Sequence, residues 1–343
     1  MKTRIVAPSD QARIEDFLTR MDSATTYHHP AWGTLIEQCF GHRFIGLICE
    51  EGNGGIQGVL PLVHMKSRLF GNFIVSMPYF NYGGVCATGS RAAESMLDTA
   101  VEIARELGAE HIELRQQENL DNEMAVKACK VSMRLPLCKN PMELWDSFPS
   151  KLRSQIRVPI KKGLKVRVGK VEELDDFYEI FSTNMRDLGT PVYSKKFFRS
   201  ILERFRESTW VAIVSMGSAP LAAGIMTGYK ERIEVPWASS IRKFNHLSPN
   251  MLLYWGFIEF ASGQGFSIFD FGRSTPGEGT YRFKEQWGAK PVSLHWHYWF
   301  RPGGSMPDLT NRNPKYRLAI AAWKRLPIPI SRILGPPIVK NIP

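Results

Sequence analysis

The sequence holds no CxxC pair, and its five cysteines (Cys39, Cys49, Cys86, Cys129 and Cys138) are odd in number and scattered. This argues against a disulfide framework or a thiolate zinc site and fits a reducing compartment. Also missing are a nucleophile elbow, a Walker loop, a dinucleotide fingerprint and any metal-ligand spacing. Covalent Ser or Cys catalysis, NTP hydrolysis and a resident metal therefore have no signature here. The stretch MKTRIVAPSDQARIEDF carries charge throughout and has no apolar core, so no secretory signal is expected in it. Two uncharged runs, 69–90 and 208–229, reach membrane-spanning length. Gly, Pro, Ser or Asn breaks both, and each reads as buried, paired strands. The expectation is a cytoplasmic protein.

What is present is ordinary globular composition: 343 residues, 43% hydrophobic and 22% charged, enough for two domains with sizeable cores. The net charge of +11 is local. Residues 150–170 hold eight Lys/Arg and no acid, and residues 301–343 hold eight more against Asp308 alone. The rest of the chain is net acidic. Such patches attract phosphate-bearing partners: a nucleotide sugar, a lipid-linked precursor, tRNA or an anionic membrane face. A solvated basic helix is the plain alternative.

Periodicity and turn chemistry give the same element order twice. In the first half, helices near 9–21 and 30–39 precede a hairpin, 43–49 and 56–63, across Glu51-Gly52-Asn53-Gly54-Gly55. A strand at 73–77, the loop MPYFNYGGV, a helix at 91–107 and a strand at 111–115 follow. In the second half the order is helices at 174–186 and 195–206, a hairpin at 209–215 and 221–229, a strand at 231–239, a helix from Ser248 to 262 and a strand at 267–272. Ser248 is the expected N-cap, with Pro249 in the first turn. This divergent duplication matches the order of GNAT-type acyltransferase domains. The expected class is α/β: two tandem GNAT-like domains, mixed central sheets flanked by helices, spanning 1–148 and 149–300. A basic, amphipathic, helical tail follows at 301–343. Within it, 313–326 carries Tyr316, Leu318, Ile320 and Trp323 among cations, a pattern that docks on the domain or on a membrane face.

Four segments can carry chemistry. FDFGRSTPGEGTYRFKEQWG places Asp270 and Arg273 at a strand end and Tyr281 and Lys284 beyond a Gly-rich loop. Such loops gather ligand groups in α/β folds. Lys284 suits a phosphate or developing oxyanion, Tyr281 a hydrogen bond to the acceptor, and Asp270 orientation of the site. SKLRSQIRVPIKKGL sets Lys151, Arg153 and Arg157 on the face opposite an apolar stripe of Leu152, Ile156 and Ile160. The strand bearing Glu234 and Trp237 leads to His246 and Asn250, candidates for positioning or acid–base work. Tyr82, in MPYFNYGGV, offers a wall for a sugar or peptide. The alternative readings are a cap or a bridge to Arg273 for Asp270, core packing for Phe283 and Trp287, and packing for the loop of Tyr82.

HHPAWGTLIEQCFGH, MPYFNYGGV, SKLRSQIRVPIKKGL, SPNMLLYWGFIEFASGQGF and FDFGRSTPGEGTYRFKEQWG together resemble the FemAB-like proteins, nearest the branch found with exosortase/PEP-CTERM and exopolysaccharide systems. The resemblance implies a cytoplasmic acyl- or aminoacyltransferase acting on an amine of a cell-envelope or exopolysaccharide precursor. The donor would be acyl-CoA or aminoacyl-tRNA, with no tightly bound cofactor. It aligns the family's strand-end DFG with Asp270, Phe271 and Gly272, its aromatic–Lys pair with Phe283 and Lys284, and its basic connector with Lys151, Arg153 and Arg157. The tRNA-binding coiled-coil arm of some members has no counterpart here. The acetyl-CoA pyrophosphate loop of typical GNAT enzymes is replaced by RKFNHLSP, residues 242–249, although a helix N-terminus at 248–250 can still receive an anion. A degenerate, membrane-face scaffold in polysaccharide export is the alternative reading.

Overall fold

The computed structural model describes residues 1–52, 54–68, 70–306 and 317–343. Asn53 of the expected hairpin turn, and residues 313–316 of the expected amphipathic tail stretch, lie outside them. In chain order the elements are β1 (Lys2–Ile5), α1 (Gln11–Arg20), α2 (Pro30–Phe40), β2 (Arg43–Glu50), β3 (Ile56–Ser67), β4 (Gly71–Val75), β5 (Cys86–Ala87), α3 (Ser90–Glu106), β6 (His111–Gln116) and β7 (Ala125–Pro136). Next come α4 (Pro141–Ser147), α5 (Ser150–Lys161), β8 (Leu164–Gly169), α6 (Leu174–Leu188), α7 (Lys195–Arg204), β9 (Thr209–Met216), β10 (Ala219–Tyr229) and β11 (Arg232–Ser240). The last are α8 (Pro249–Gly263), β12 (Ile268–Ser274), α9 (Gly279–Glu285), β13 (Lys290–Phe300), α10 (Arg317–Trp323) and α11 (Ile328–Val339).

The described residues form two compact units. The first comprises Met1–Lys130 with 293–306 and Lys340–Pro343, and the second Val131–Val292 with 317–339. The expected boundaries are 148/149 and 300/301; by contacts, β7 from Val131 on goes with the second unit and β13 from Ser293 on with the first. In the first unit the strand order is β1-β2-β3-β4-β6-β13, and in the second β8-β9-β10-β11-β12-β7. Both are antiparallel except for one parallel pair at the same position, β4 with β6 and β11 with β12. The strand that follows β6 in the chain joins β12, and the strand that follows β12 joins β6.

Each core follows from its helix pattern. In α3, Ala92, Met96, Ala100 and Ala104 recur on one face and pack with Leu47, Leu60, Leu62 and Ile112. Helix α8 is apolar all round and is buried accordingly through Leu252, Leu253, Phe257, Ile258 and Ala261.

Residues 1–124 expressed alone contain β6 but neither β13 nor β7. We expect no cooperative urea transition from this fragment, because β6 presents an unpaired edge of main-chain groups. A single sharp transition with native near-UV dichroism would contradict the exchange of strands.

Candidate active site at a parted strand pair

Parallel strands β11 and β12 pair only at Arg232↔Ile268, Ile233↔Phe269 and Glu234↔Asp270, although β11 continues to Ser240 and β12 to Ser274. Each strand bends where the pairing stops. On β11, Val235 and Pro236 together oppose Met226 of β10, between the pairs Thr227↔Glu234 and Ile225↔Trp237. This is a bulge, and a proline there costs no ladder hydrogen bond. On β12 the register against β7 slips between Asp270 and Arg273, and Gly272 takes φ 73°. A residue without Cβ suits that left-handed conformation.

The β12 bulge is held from both sides. Asp270, with no exposure, accepts from Ser132 Oγ at 2.5 Å, Gly272 N at 2.8 Å and Arg134 Nε at 3.3 Å. From α9, Lys284 Nζ donates to the carbonyls of Gly272 (2.9 Å) and Arg273 (3.0 Å), just past the point of parting. Lys284 is 7% exposed, and burial lowers its pKa to about 8, against the pull of the Asp270 and Glu234 carboxylates. An ammonium has three donors, and two are spent on these carbonyls. Tyr281 stands three residues before Lys284 on the same helix face. Arg273 is exposed at the strand end. Two further donors nearby in the chain, Ser274 Oγ and Trp287 Nε1, are buried without a hydrogen-bond partner among the described residues.

An aromatic wall leads from this segment to the basic connector. Trp287 meets Phe148 at 5.8 Å, Phe148 meets Trp255 at 6.0 Å, and Trp255 meets Trp145 at 4.9 Å. Arg157 lies over Trp145 at 5.3 Å, and Arg153 is 3.7 Å from Asp146. Both arginines therefore face α4, while Lys151 is exposed. The buried stripe of α5 is Leu152, Ile156 and Pro159; Ile160, expected in it, is 48% exposed because a 3.6-residue repeat reaches 159 first.

The turn between β11 and α8 brings a second cationic group. Lys162 Nζ donates to His246 O at 2.8 Å, joining the end of α5 to the turn that carries Arg242 and Lys243. Ser248 precedes α8 in the left-handed region, φ 56°, and makes no side-chain cap hydrogen bond, contrary to expectation. The Ser248 hydroxyl thus caps none of the first-turn N–H groups of this 15-residue helix, whose Met251 N–H bonds the Ser248 carbonyl at 3.1 Å.

Two expected contact residues are buried among other side chains. Trp237 is 7% exposed and fills a gap between Phe197 (5.8 Å) and Phe198 (5.3 Å) of α7. Tyr82 is 1% exposed. Its loop occupies the first unit's counterpart of the parted pair: Arg115 Nη1 donates to Phe80 O at 2.7 Å, Arg115 N to Ser76 Oγ at 2.7 Å, and the Gln116 amide bonds both Val85 N and Val85 O. The chain itself thus plugs the place beyond the β4–β6 pairing. His246 is exposed, with its ring against the Lys243 carbonyl. A surface recess of about 340 Å³ beside α1, lined by Arg13, Asp16 and Arg20, holds none of the candidate residues. Sequence reasoning missed Ser132 and Arg134, which reach Asp270 from a strand well over a hundred residues away.

A family model described as an acetyltransferase (GNAT) domain matches residues 150–285, the stretch that contains the parted pair. By structure the chain is similar to FemX, at 15% identity and TM-score 0.66, over 93% of this chain and 100% of that chain. It is also similar to the C-terminal domain of a putative lysylphosphatidylglycerol synthetase from Agrobacterium fabrum (11% identity, TM-score 0.58, 86% of this chain and 93% of that chain). A tandem GNAT protein from the clavulanic acid biosynthesis pathway matches as well (12% identity, TM-score 0.55, 89% and 99%). No curated protein matches by sequence. The likenesses establish the fold, a mixed α/β GNAT-like architecture of the tandem kind.

Proposed function

We propose that the second unit transfers an acyl or aminoacyl group from a phosphate-bearing donor to an amine. The observation that carries this reading is the parted β11–β12 edge with Lys284 seated just beyond the parting. Main-chain groups of β11 past Glu234 lie outside the ladder to β12, where an extended donor can add to them as another strand would. The donor carbonyl then lies toward the Lys284 ammonium, whose third N–H is suited to a developing oxyanion in a site largely shielded from water. The acceptor nitrogen attacks the carbonyl carbon and a C–N bond forms. The C–S or C–O bond to the donor breaks, the amine loses a proton and the departing thiol or alcohol gains one. No enzyme nucleophile is required, and orientation supplies much of the rate.

The phosphates of acyl-CoA or aminoacyl-tRNA fit the uncapped start of α8 beside Arg242, Lys243 and Lys162. The GNAT-type match supports acyl-CoA and the likeness to FemX is compatible with either donor. Lys151, Arg153 and Arg157 are assigned to the acceptor's phosphates. That acceptor, an amine on a nucleotide-sugar or lipid-linked precursor of the cell envelope or an exopolysaccharide handled in the cytoplasm, rests on the FemAB-like resemblance, as does the exosortase-associated setting.

The test is a single-turnover assay with labelled acyl-CoA and aminoacyl-tRNA against amine-bearing UDP-sugars and lipid-linked sugars. Label should move to one acceptor class; no transfer from either donor to any of them would overturn the proposal. Reversing Arg242 and Lys243 together to Glu should raise the donor KM at least ~10-fold and flatten its salt dependence, because phosphate contacts are salt-sensitive. An unchanged KM would remove the phosphate role of this turn.

A further inference from the structure

The tail presents a surface that the transfer chemistry does not use. Helix α11 docks in the second unit by its smallest face. Ser331, Gly335 and Val339 are buried at four-residue spacing, and a Cβ at Gly335 would come within 2.7 Å of Val192 N. Arg332 fixes this face, donating to Ser182 Oγ at 2.9 Å and Glu179 Oε2 at 2.6 Å, with its guanidinium over Tyr178. Arg186 bonds Leu326 O at 2.9 Å at the junction with α10. The large aliphatic side chains consequently point away from the body. Ile330, Ile333, Leu334 and Ile338 are 42%, 72%, 45% and 36% exposed, and Leu318 of α10 is 86% exposed. Positions 330, 333, 334 and 338 form one continuous stripe on a helix, opposite the docked face.

This inverts the usual arrangement, in which the large apolar residues face the core. The tail's own charges have one sign. Residues 317–343 contain five Lys/Arg and no Asp or Glu, and Arg317, Lys324 and Arg325 are exposed along α10 and just after it. An apolar helix face on a segment whose own charges are all cations complements the headgroup–acyl boundary of an anionic bilayer. No described helix is long and apolar enough to cross a membrane, so contact would be in the plane of the surface.

We infer that α10 and α11 form a docking surface for an anionic lipid membrane, with Ile330, Ile333, Leu334 and Ile338 entering the interface and Arg317, Lys324 and Arg325 meeting its headgroups. The full chain is co-sedimented with vesicles of phosphatidylcholine alone and with ~30% phosphatidylglycerol, at low and high salt. The wild-type protein should pellet with the anionic vesicles and not with the neutral ones. The variant Ile333→Glu/Leu334→Glu should lose at least ~10-fold in partitioning with little change in melting temperature, since Ile333 is 72% and Leu334 45% exposed. Arg317→Glu/Arg325→Glu should lose binding and its salt dependence. Absence of the wild type from the anionic pellet, or undiminished binding of Ile333→Glu/Leu334→Glu, would overturn the inference. So would a concentration-dependent dimer abolished by that variant without any vesicle affinity, which would assign the stripe to a second copy of the chain.

Discussion

Lys284→Met should lower the single-turnover transfer rate by ~10²–10³-fold, the loss typical of removing one preorganised oxyanion donor. Lys284→Arg should retain a substantial part of the rate, because a guanidinium keeps both the charge and the reach to the Gly272 and Arg273 carbonyls. The pH profile separates this role from a structural one. With its pKa lowered to about 8, the wild-type lysine loses its ammonium as pH rises through 8, and the rate should fall there. The arginine variant should lack that descending limb.

Stability should move the other way. The folded-state pKa lies below the ordinary 10.5, so the unfolded chain binds more protons between about pH 8 and 10.5. The contribution of Lys284 to stability therefore rises with pH across that window, and unfolding of this site cannot account for the fall in rate. Equal loss of activity in the Met and Arg variants, with no alkaline limb in the wild type, would contradict the assignment.

Asp270→Ala should cost about 3–5 kcal/mol in unfolding free energy, the usual penalty for breaking a buried, hydrogen-bonded charge cluster. The carboxylate is fully enclosed, and its removal takes an acceptor from Ser132 Oγ, the Gly272 N–H and the Arg134 guanidinium at once. The β12 bulge would relax with it. Asp270→Asn should also move the alkaline limb to lower pH, because Asp270 is the larger of two charges favouring the Lys284 ammonium. Urea denaturation measures the first effect and the pH profile the second. A loss under 1 kcal/mol would mean that the bulge is held by something other than this carboxylate.

Asp270 shows why the site was half legible in the sequence. The strand-end DFG and the lysine beyond a Gly-rich loop mark the place, since turn chemistry and strand periodicity are local signals. The partners Ser132 and Arg134 are not marked at all. They sit on β7, which no local feature ties to β12, and β13 is equally silent about β6. Strand exchange is a choice between edges of similar pattern, and tertiary packing makes it. Element order and the two hairpins were readable for the same reason that the domain boundaries were not. Trp237 and Tyr82 illustrate a further limit: an aromatic near a catalytic strand reads identically whether it walls a ligand or fills a core. A helical tail is expected at 301–343 and α11 forms in it, but nothing local in the sequence says that Ser331 and Gly335 are the residues that admit it closely to the body.

Amide hydrogen exchange with a non-transferable thioether analogue of acyl-CoA, and with an amide-linked aminoacyl-RNA analogue, examines the parted strands most directly. Slowed exchange is predicted at the amides of β11 past Glu234 that do not point to β10, Ala238 and Ser240 among them, and in the first turn of α8 with whichever analogue is the true donor, while Ser76–Val85 of the first unit stays unaffected. Protection confined to the first unit, with none along β11 past Glu234, would contradict the placement of the donor.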